Sequence, residues 1–431
     1  MNLRISNSLK ESEYTKGFFL ILSSKIVIAA LTFISTPIIA RIYSPQDYGI
    51  YAILNSILIN LVLFTNLSLP SAVIVLKKSK LNASISGIIG YSFYSNLVFL
   101  VTGTLLLLFN DTFKTKLASI VGFDFTIGHL LVITFFSILV TVSEVFANLN
   151  IKEKKFKRNV VVNLTDTISN KASSIVIGLF IHHKLGLFIA ELVGKFNNIF
   201  YQLYKVNFKI SFLKIKNFKK LRTIQNTVRD NHLYPKFNLP TTFLNKFSGQ
   251  LVIWIFAIYF SVEQIGYFTM AISMVGIPLL LLANSLNPLI TKKLSEEREQ
   301  GFKGNTLFKL FSLITLLSLF VYSLLFFFSP YFVNFYLGEK WIESITYIKI
   351  LCVPFSLMLI SNAIGGAFLI YEKQKNNLFF KLFSFISLIV GITLIMNSTM
   401  SFIQLVWLYA TIISLEQLLN TIYILRKAKH V

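Results

Sequence analysis

Five lysines and four acids lie inside stretches of the chain that are otherwise apolar. The lysines are Lys25, Lys171, Lys195, Lys246 and Lys349; the acids are Glu144, Asp166, Glu191 and Glu416. A charged side chain at the centre of a membrane helix costs about 2.5–3.5 kcal/mol, so such residues are expected to meet a ligand, an ion or one another. A lysine ammonium is a compact charge suited to a phosphate. A carboxylate at that depth can take a proton or cation, or pair with a lysine.

Each position also has a plainer reading. Lys25 and Lys246 lie one or two turns from a span end and can snorkel to the interface. Glu191 and Lys195 are four residues apart and form an expected ion pair on one helix face. Asp166 and Lys171 are five apart, on different faces, and need other partners. Lys171 and Lys195 sit near mid-span, Lys349 in the outer half, Glu144 near a span end and Glu416 mid-span. Arg41, beside Asp47 in a short polar break, is expected either to pair with that acid or to act as an outer gate.

The elements that must position these residues are membrane helices. Of 431 residues, 55% are hydrophobic and 14% charged, with mean hydropathy +0.68; soluble domains carry about 25% charged residues. Twelve apolar windows follow one another: 18–40, 48–70, 86–109, 127–149, 159–181, 185–204, 241–260, 265–290, 305–328, 345–370, 378–396 and 402–425. Each is about the length that crosses 30 Å of hydrocarbon as a helix. The first two are separated by Ile39–Ala52, where Ser44-Pro45 cannot continue a helix and forces a tight hairpin.

The net charge of +23 is unevenly placed. Alternate connections between windows carry 29 basic residues and the remaining ones carry 5. That asymmetry puts both termini and the basic connections in the cytoplasm, and it explains the charge without nucleic acid. The outer connections are short, the longest being 110–126. The one long connection, 205–240, is basic; its segment 208–222 mixes lysines with apolar residues and reads either as a linker or as a stretch lying on the anionic inner leaflet. No cleavable leader is expected at the start. The single cysteine, Cys352, excludes an intrachain disulfide, and the histidines have no metal-ligand spacing.

Residues 43–51, YSPQDYGIY, are echoed by 260–268, FSVEQIGYF, with Gly49 falling on Gly266 at an offset of 217 residues. The echo continues from Leu69-Pro70 before Lys77-Lys78 to Asn287-Pro288 before Lys292-Lys293. Six windows per repeat put both halves in the membrane with the same orientation, about an axis along the membrane normal. The expected units are a first bundle over 1–204, a linker over 205–240 and a second bundle over 241–431. The same offset carries Lys25 to position 242, one turn from Lys246, so the first helix of each half is expected to present a lysine to a shared cavity.

The stretches TPIIARIYSPQDYGIYA, NLSLPSAVIV and YPKFNLPTTFLNKFSGQLVIWIFAIYFSVEQIGYFTMAISMVGIPL resemble the oligosaccharide flippases of polysaccharide biosynthesis (the Wzx type). That resemblance implies the fold of the multidrug/oligosaccharidyl-lipid/polysaccharide exporters: an all-α integral membrane protein, with two six-helix bundles related by pseudo-two-fold symmetry around a central cavity. It implies alternating access and transfer of an undecaprenyl-pyrophosphate-linked glycan to the outer leaflet of the bacterial cytoplasmic membrane, for O-antigen or capsule. Membrane lipids, and other polysaccharide assembly proteins, are its implied partners. No cofactor is expected, beyond coupling to a proton or sodium gradient, and a monomer suffices.

Two other readings remain: a drug/cation antiporter of the same superfold, and a polysaccharide polymerase or ligase. The antiporter gives less reason for a lysine-lined interior. The enzyme would need reactive groups in a large outer loop, and no nucleophile, metal cluster or phosphate-binding glycine loop is present in the sequence.

Overall fold

The computed structural model describes residues 2–205, 220–299, 306–395 and 401–428, and among them every regular element is helical. All twelve apolar windows are helices. The first is Asn2–Ile42 (α1), the second Pro45–Asn66 (α2). Between them Ser44 caps α2. Its amide and hydroxyl both donate to Asp47 Oδ2 (2.8 and 2.7 Å), and the Asp47 amide donates back to Ser44 Oγ (3.2 Å). Proline at the first helical position, with an acid two residues on, is the arrangement a helix start favours. The hairpin expected from Ser44-Pro45 is therefore a capped break.

The chain continues through a tight turn, Leu69–Ile74, into Lys78–Phe109 (α3), Asp111–Val121 (α4), Ile127–Lys152 (α5), Phe156–Phe180 (α6) and Gly186–Lys205 (α7). The stretch 110–126, expected as a plain connection, holds α4. Asn110 Oδ1 accepts from the Phe113 amide at its start (2.8 Å), and Gly122 closes it with φ +81. Leu221–Asp230 (α8) follows, and the segment 208–222 considered for the membrane surface lies mostly outside the described residues. The later helices are Leu239–Tyr259 (α9), Val262–Pro278 (α10), Asn284–Glu299 (α11), Thr306–Phe332 (α12), Ser344–Ala363 (α13), Ala367–Ile370 (α14), Gln374–Ile395 (α15) and Phe402–Ala428 (α16). A wide turn, Leu279–Ala283, joins α10 and α11 into one long segment.

Eight of these segments are long and apolar enough to cross a membrane among the described residues. The windows on α6 and α7 are not among them: they have spanning length, 25 and 20 residues, but more polar sequences. Asp166 and Lys171 lie on α6, and Glu191 and Lys195 on α7.

Packing divides the chain into two compact units: Met1–Ser35 with Ile50–Val262, and Thr36–Gly49 with Glu263–Val431. This division differs from the repeat, because α9 packs in the first unit and the hairpin 36–49 in the second. The first unit buries a core of Leu69, Val73, Ile85, Ile88, Val145 and Phe146 beside its basic connections. The amphipathic helix α8 docks on α3 there, burying Ile224 and Thr227. Gly87 makes this possible, since a Cβ at that position would stand 2.1 Å from Thr227 Oγ1. Lys80 and Asp230 close the contact with an exposed ion pair at 2.8 Å.

In the second unit the start of α10 packs directly on the hairpin. A Cβ on Gly266 would lie 1.8 Å from the Pro45 carbonyl oxygen and 3.1 Å from the Gly49 nitrogen. The two glycines related by the repeat are thus neighbours, and the missing side chain lets two backbones touch. Trp341 is fully buried beside them, 5.0 Å from Tyr48 and 6.1 Å from Tyr267 between ring centroids.

Candidate functional site

In the first unit, α6 and α7 pack closely because Gly194 has no side chain; a Cβ there would lie 2.6 Å from Asp166 Oδ1. This approach sets the ion pairing. Lys195 Nζ reaches Asp166 Oδ2 at 2.6 Å, across the helix pair. The expected partner of Lys195, Glu191, instead accepts from the Tyr51 hydroxyl of α2 at 2.8 Å. Lys171 lies within electrostatic reach of Glu191. Asp166 and Lys171 do have other partners, as their spacing requires.

A chain of buried amides continues from this cluster. Asn198 donates to Asp166 Oδ2 (3.2 Å), Gln202 donates to Asn198 Oδ1 (2.7 Å), and Asn150 donates to Gln202 Oε1 (3.1 Å) and Asn159 Oδ1 (2.8 Å). Buried amides require such partners, and each partner fixes the next. Sequence reasoning did not single out Tyr51, Asn198, Gln202 or Asn150. The spacing of Asn198 and Gln202, four apart on the face that carries Lys195, was the available signal.

The second feature of this unit is a polar cavity of about 260 Å3 between α2, the turn after it, α5 and α9. Glu144 and Lys246 stand in its wall, with Asn66, Asn148, Ser71 and Thr242. Asn66 Nδ2 donates to Glu144 Oε2 at 3.0 Å, and Asn148 Nδ2 donates to the Pro70 carbonyl at 3.0 Å. The chain turns sharply at this wall, with Leu67 and Ser68 both in the left-handed region (φ 51 and 56). Asn66 Oδ1 holds the turn by accepting from the Ser68 amide at 2.9 Å. Ser68 Oγ is buried at the cavity edge with no hydrogen-bond partner among the described residues. A buried hydroxyl left open in a polar cavity is suited to a ligand's hydroxyl or to water.

Lys246 and Lys195 are the cations acting on the Glu144 carboxylate. Thr242, at the position the repeat offset assigns to Lys25, lines the cavity together with Lys246. Lys25 is exposed on α1 and is not part of that wall.

The remaining candidates belong to the second unit. Among the described residues Arg41 forms no ion pair with Asp47, whose carboxylate is held by Ser44. Its Nη2 donates to the Phe335 carbonyl at 2.8 Å. Lys340 Nζ donates to the Arg41 carbonyl (2.8 Å), and Trp341 Nε1 to the Ala40 carbonyl (2.9 Å). Burial pulls the Lys340 ammonium below the ordinary lysine value, while the Asp47 carboxylate acts the other way. Lys340 and Trp341 thus close the last carbonyls of α1, one route to satisfying a helix C-terminus, while Arg41 ties the same end to residue 335. Glu416, on α16, is buried in contact with Ser384 and within electrostatic reach of Lys381. Lys349, on α13, lies over the Phe326 ring at 5.7 Å.

A sequence model of the family described as polysaccharide biosynthesis protein matches residues 38–346. No curated protein matches the chain. Among solved structures, an inward-facing multidrug resistance MATE family transporter of the MOP superfamily superposes with a TM-score of 0.65 at 12% identity, over 96% of this chain and 98% of that one. The lipid II flippase MurJ, in an inward closed conformation, gives 0.64 at 14% identity, over 95% and 87%. The MATE multidrug transporter DinF-BH gives 0.52 at 15%, over 95% and 92%. At these identities the likeness establishes the fold, a multi-pass helical membrane architecture built from two six-helix halves. With a family match that takes in most of its length, the chain belongs to the polysaccharide biosynthesis protein family and has the fold of MOP-superfamily transporters.

Proposed function

We propose that this protein is a flippase, carrying a lipid-linked oligosaccharide from the cytoplasmic to the outer leaflet of a bacterial cytoplasmic membrane by alternating access. Both termini then lie in the cytoplasm, as the distribution of basic residues favours. The observation that carries the reading is the polar cavity holding Lys246 and Glu144 among membrane helices.

A glycan joined to a pyrophosphate cannot cross hydrocarbon unaided, since each unpaired hydroxyl costs a few kcal/mol and each charge far more. Lys246 supplies a positive charge for the phosphate. Glu144, Asn148, Ser71, Thr242 and the open Ser68 hydroxyl supply acceptors and donors for sugar hydroxyls. The cavity is smaller than the ~300–1,000 Å3 of drug-sized sites, so it suits one sugar ring or a headgroup. An undecaprenyl-pyrophosphate carrier bearing an O-antigen or capsule repeat unit fits this chemistry. A proton or sodium gradient is the proposed energy source, with Asp166, Glu191 and Glu416 as the carboxylates to test.

The experiment is accumulation of lipid-linked oligosaccharide in cells lacking the protein, restored with wild type or with Lys246→Gln. Intermediates that build up on the cytoplasmic leaflet, are relieved by wild type and persist with the folded variant support the reading. Units accumulating on the outer leaflet would instead indicate a polymerase or ligase. Efflux of soluble cationic drugs from vesicles, with no change in lipid-linked sugar, would indicate the antiporter.

A further inference from the structure

Helices α12 and α13 run antiparallel in the second unit and keep one register along their contact. The Ser318 and Ser356 hydroxyl oxygens are 2.9 Å apart, Tyr322 faces Cys352, and Phe326 lies beneath Lys349. Beside this contact opens an apolar groove of about 400 Å3, inside the range of small-molecule sites. Leu319, Phe326 and Phe327 form its α12 wall, Val353 and Leu357 its α13 wall, and Leu418 of α16 its third side. From Leu319 to Phe327 it extends about 12 Å along the helix.

Two of the polar groups that line it are already used: the Tyr322 hydroxyl donates to the Val275 carbonyl (2.9 Å), and Ser356 is bonded to Ser318. Phe327 and Val353 are more than half exposed, as are Leu316, Phe320 and Phe328 on the adjoining face of α12. In a membrane that face meets hydrocarbon, so the material available to fill the groove is lipid. At one end stands Lys349, half-buried about 7.5 Å from the start of α13. Among the described residues no carboxylate lies within 4.0 Å of its ammonium.

We propose that this groove binds one anionic glycerophospholipid, an acyl chain lying between α12, α13 and α16 and the phosphate at Lys349. Hydrocarbon in the bilayer is as apolar as the groove, so the lining gives fit with little preference among lipids. Selection therefore falls on the lysine, which favours a net negative headgroup about fivefold. The inference does not depend on the transport reading.

The test is lipid binding to the purified full-length protein by native mass spectrometry. It compares phosphatidylglycerol with phosphatidylcholine of the same chains. Wild type should retain phosphatidylglycerol about fivefold better, Lys349→Gln should abolish that preference, and Lys349→Arg should keep it. Val353→Trp, at an exposed position on the groove wall, should lose one bound lipid of either kind. Lys349→Gln keeping the preference would overturn the proposal, as would Val353→Trp binding as many lipids as wild type. If polyprenyl phosphate, and not phosphatidylglycerol, shows the Lys349 dependence, the occupant named here is wrong.

Discussion

Replacing Gly266 by alanine tests the central packing of the second unit. The added methyl would stand 1.8 Å from the Pro45 carbonyl oxygen, where contacts under 3.0 Å are essentially never seen. Helix α10 or the hairpin must therefore move by about 1.2 Å, and because the obstacle is backbone, no side-chain rotation relieves it. Overpacking of this kind costs about 1–3 kcal/mol, more where backbone meets backbone. Alanine's better helix propensity returns only about 0.5–1 kcal/mol. The balance is a loss of about 2 kcal/mol, and for a unit of this size a fall in Tm of about 5 °C. The assay is thermal unfolding of the purified full-length protein, with Gly249→Ala as the control. Among the described residues nothing lies within 4 Å of a Cβ on Gly249, so that variant should melt at or slightly above wild type. If Gly266→Ala also melts at or above wild type, the close approach and the reasoning built on it fail.

Gly87→Ala should push α8 off α3 by the same logic, read as faster proteolysis within 221–230. Here the obstacle is mainly a side chain, so adding Thr227→Gly should restore protection. Docking of α8 should also depend on pH. The hydrogen bond and charge of Lys80 hold the Asp230 carboxyl below its ordinary value. That contribution is complete above the ordinary aspartate range near ~4 and is lost as pH falls toward the folded value. Protection of α8 from proteolysis after incubation at graded acid pH should show this loss in wild type and not in Asp230→Asn. Lys195→Met should leave Asp166 unpaired and cost about 3 kcal/mol at most, since both side chains keep some exposure. Combining it with Asp166→Asn should recover most of that loss in the same unfolding assay.

The sequence made much of this fold legible where one residue dominates a local choice. Ser44-Pro45 marked the break between α1 and α2, and the repeat singled out Gly49 and Gly266, which the structure brings together. The twelve windows are all helical for the same reason: apolar length is a property of the segment alone. What the sequence hid depends on register between helices. Glu191 lies one turn from Lys195, yet the contact at Gly194 hands that lysine to Asp166 on another helix. The polar cavity gathers Asn66, Glu144 and Lys246 from three helices, and the left-handed turn at Leu67-Ser68 that shapes it has no glycine to announce it. The docking of α8 was obscured by its basic residues, which face outward while Ile224 and Thr227 face α3.

The pairing of Asp166 with Lys195 has a consequence for how the chain is made. During synthesis each segment is offered to the lipid in turn, and a lone helix carrying an acid or a lysine at its centre partitions poorly. Neither α6 nor α7 meets the apolar requirement on its own; each carries an acid and a lysine, at a penalty of about 2.5–3.5 kcal/mol for a charge at the helix centre. Only a short connection, 181–185, separates them. They are therefore expected to enter the bilayer as one hairpin with Asp166 and Lys195 already paired. Variants that break the pair should then reveal themselves first as protein degraded before assembly, and low abundance in cells should precede any defect measured on the purified molecule.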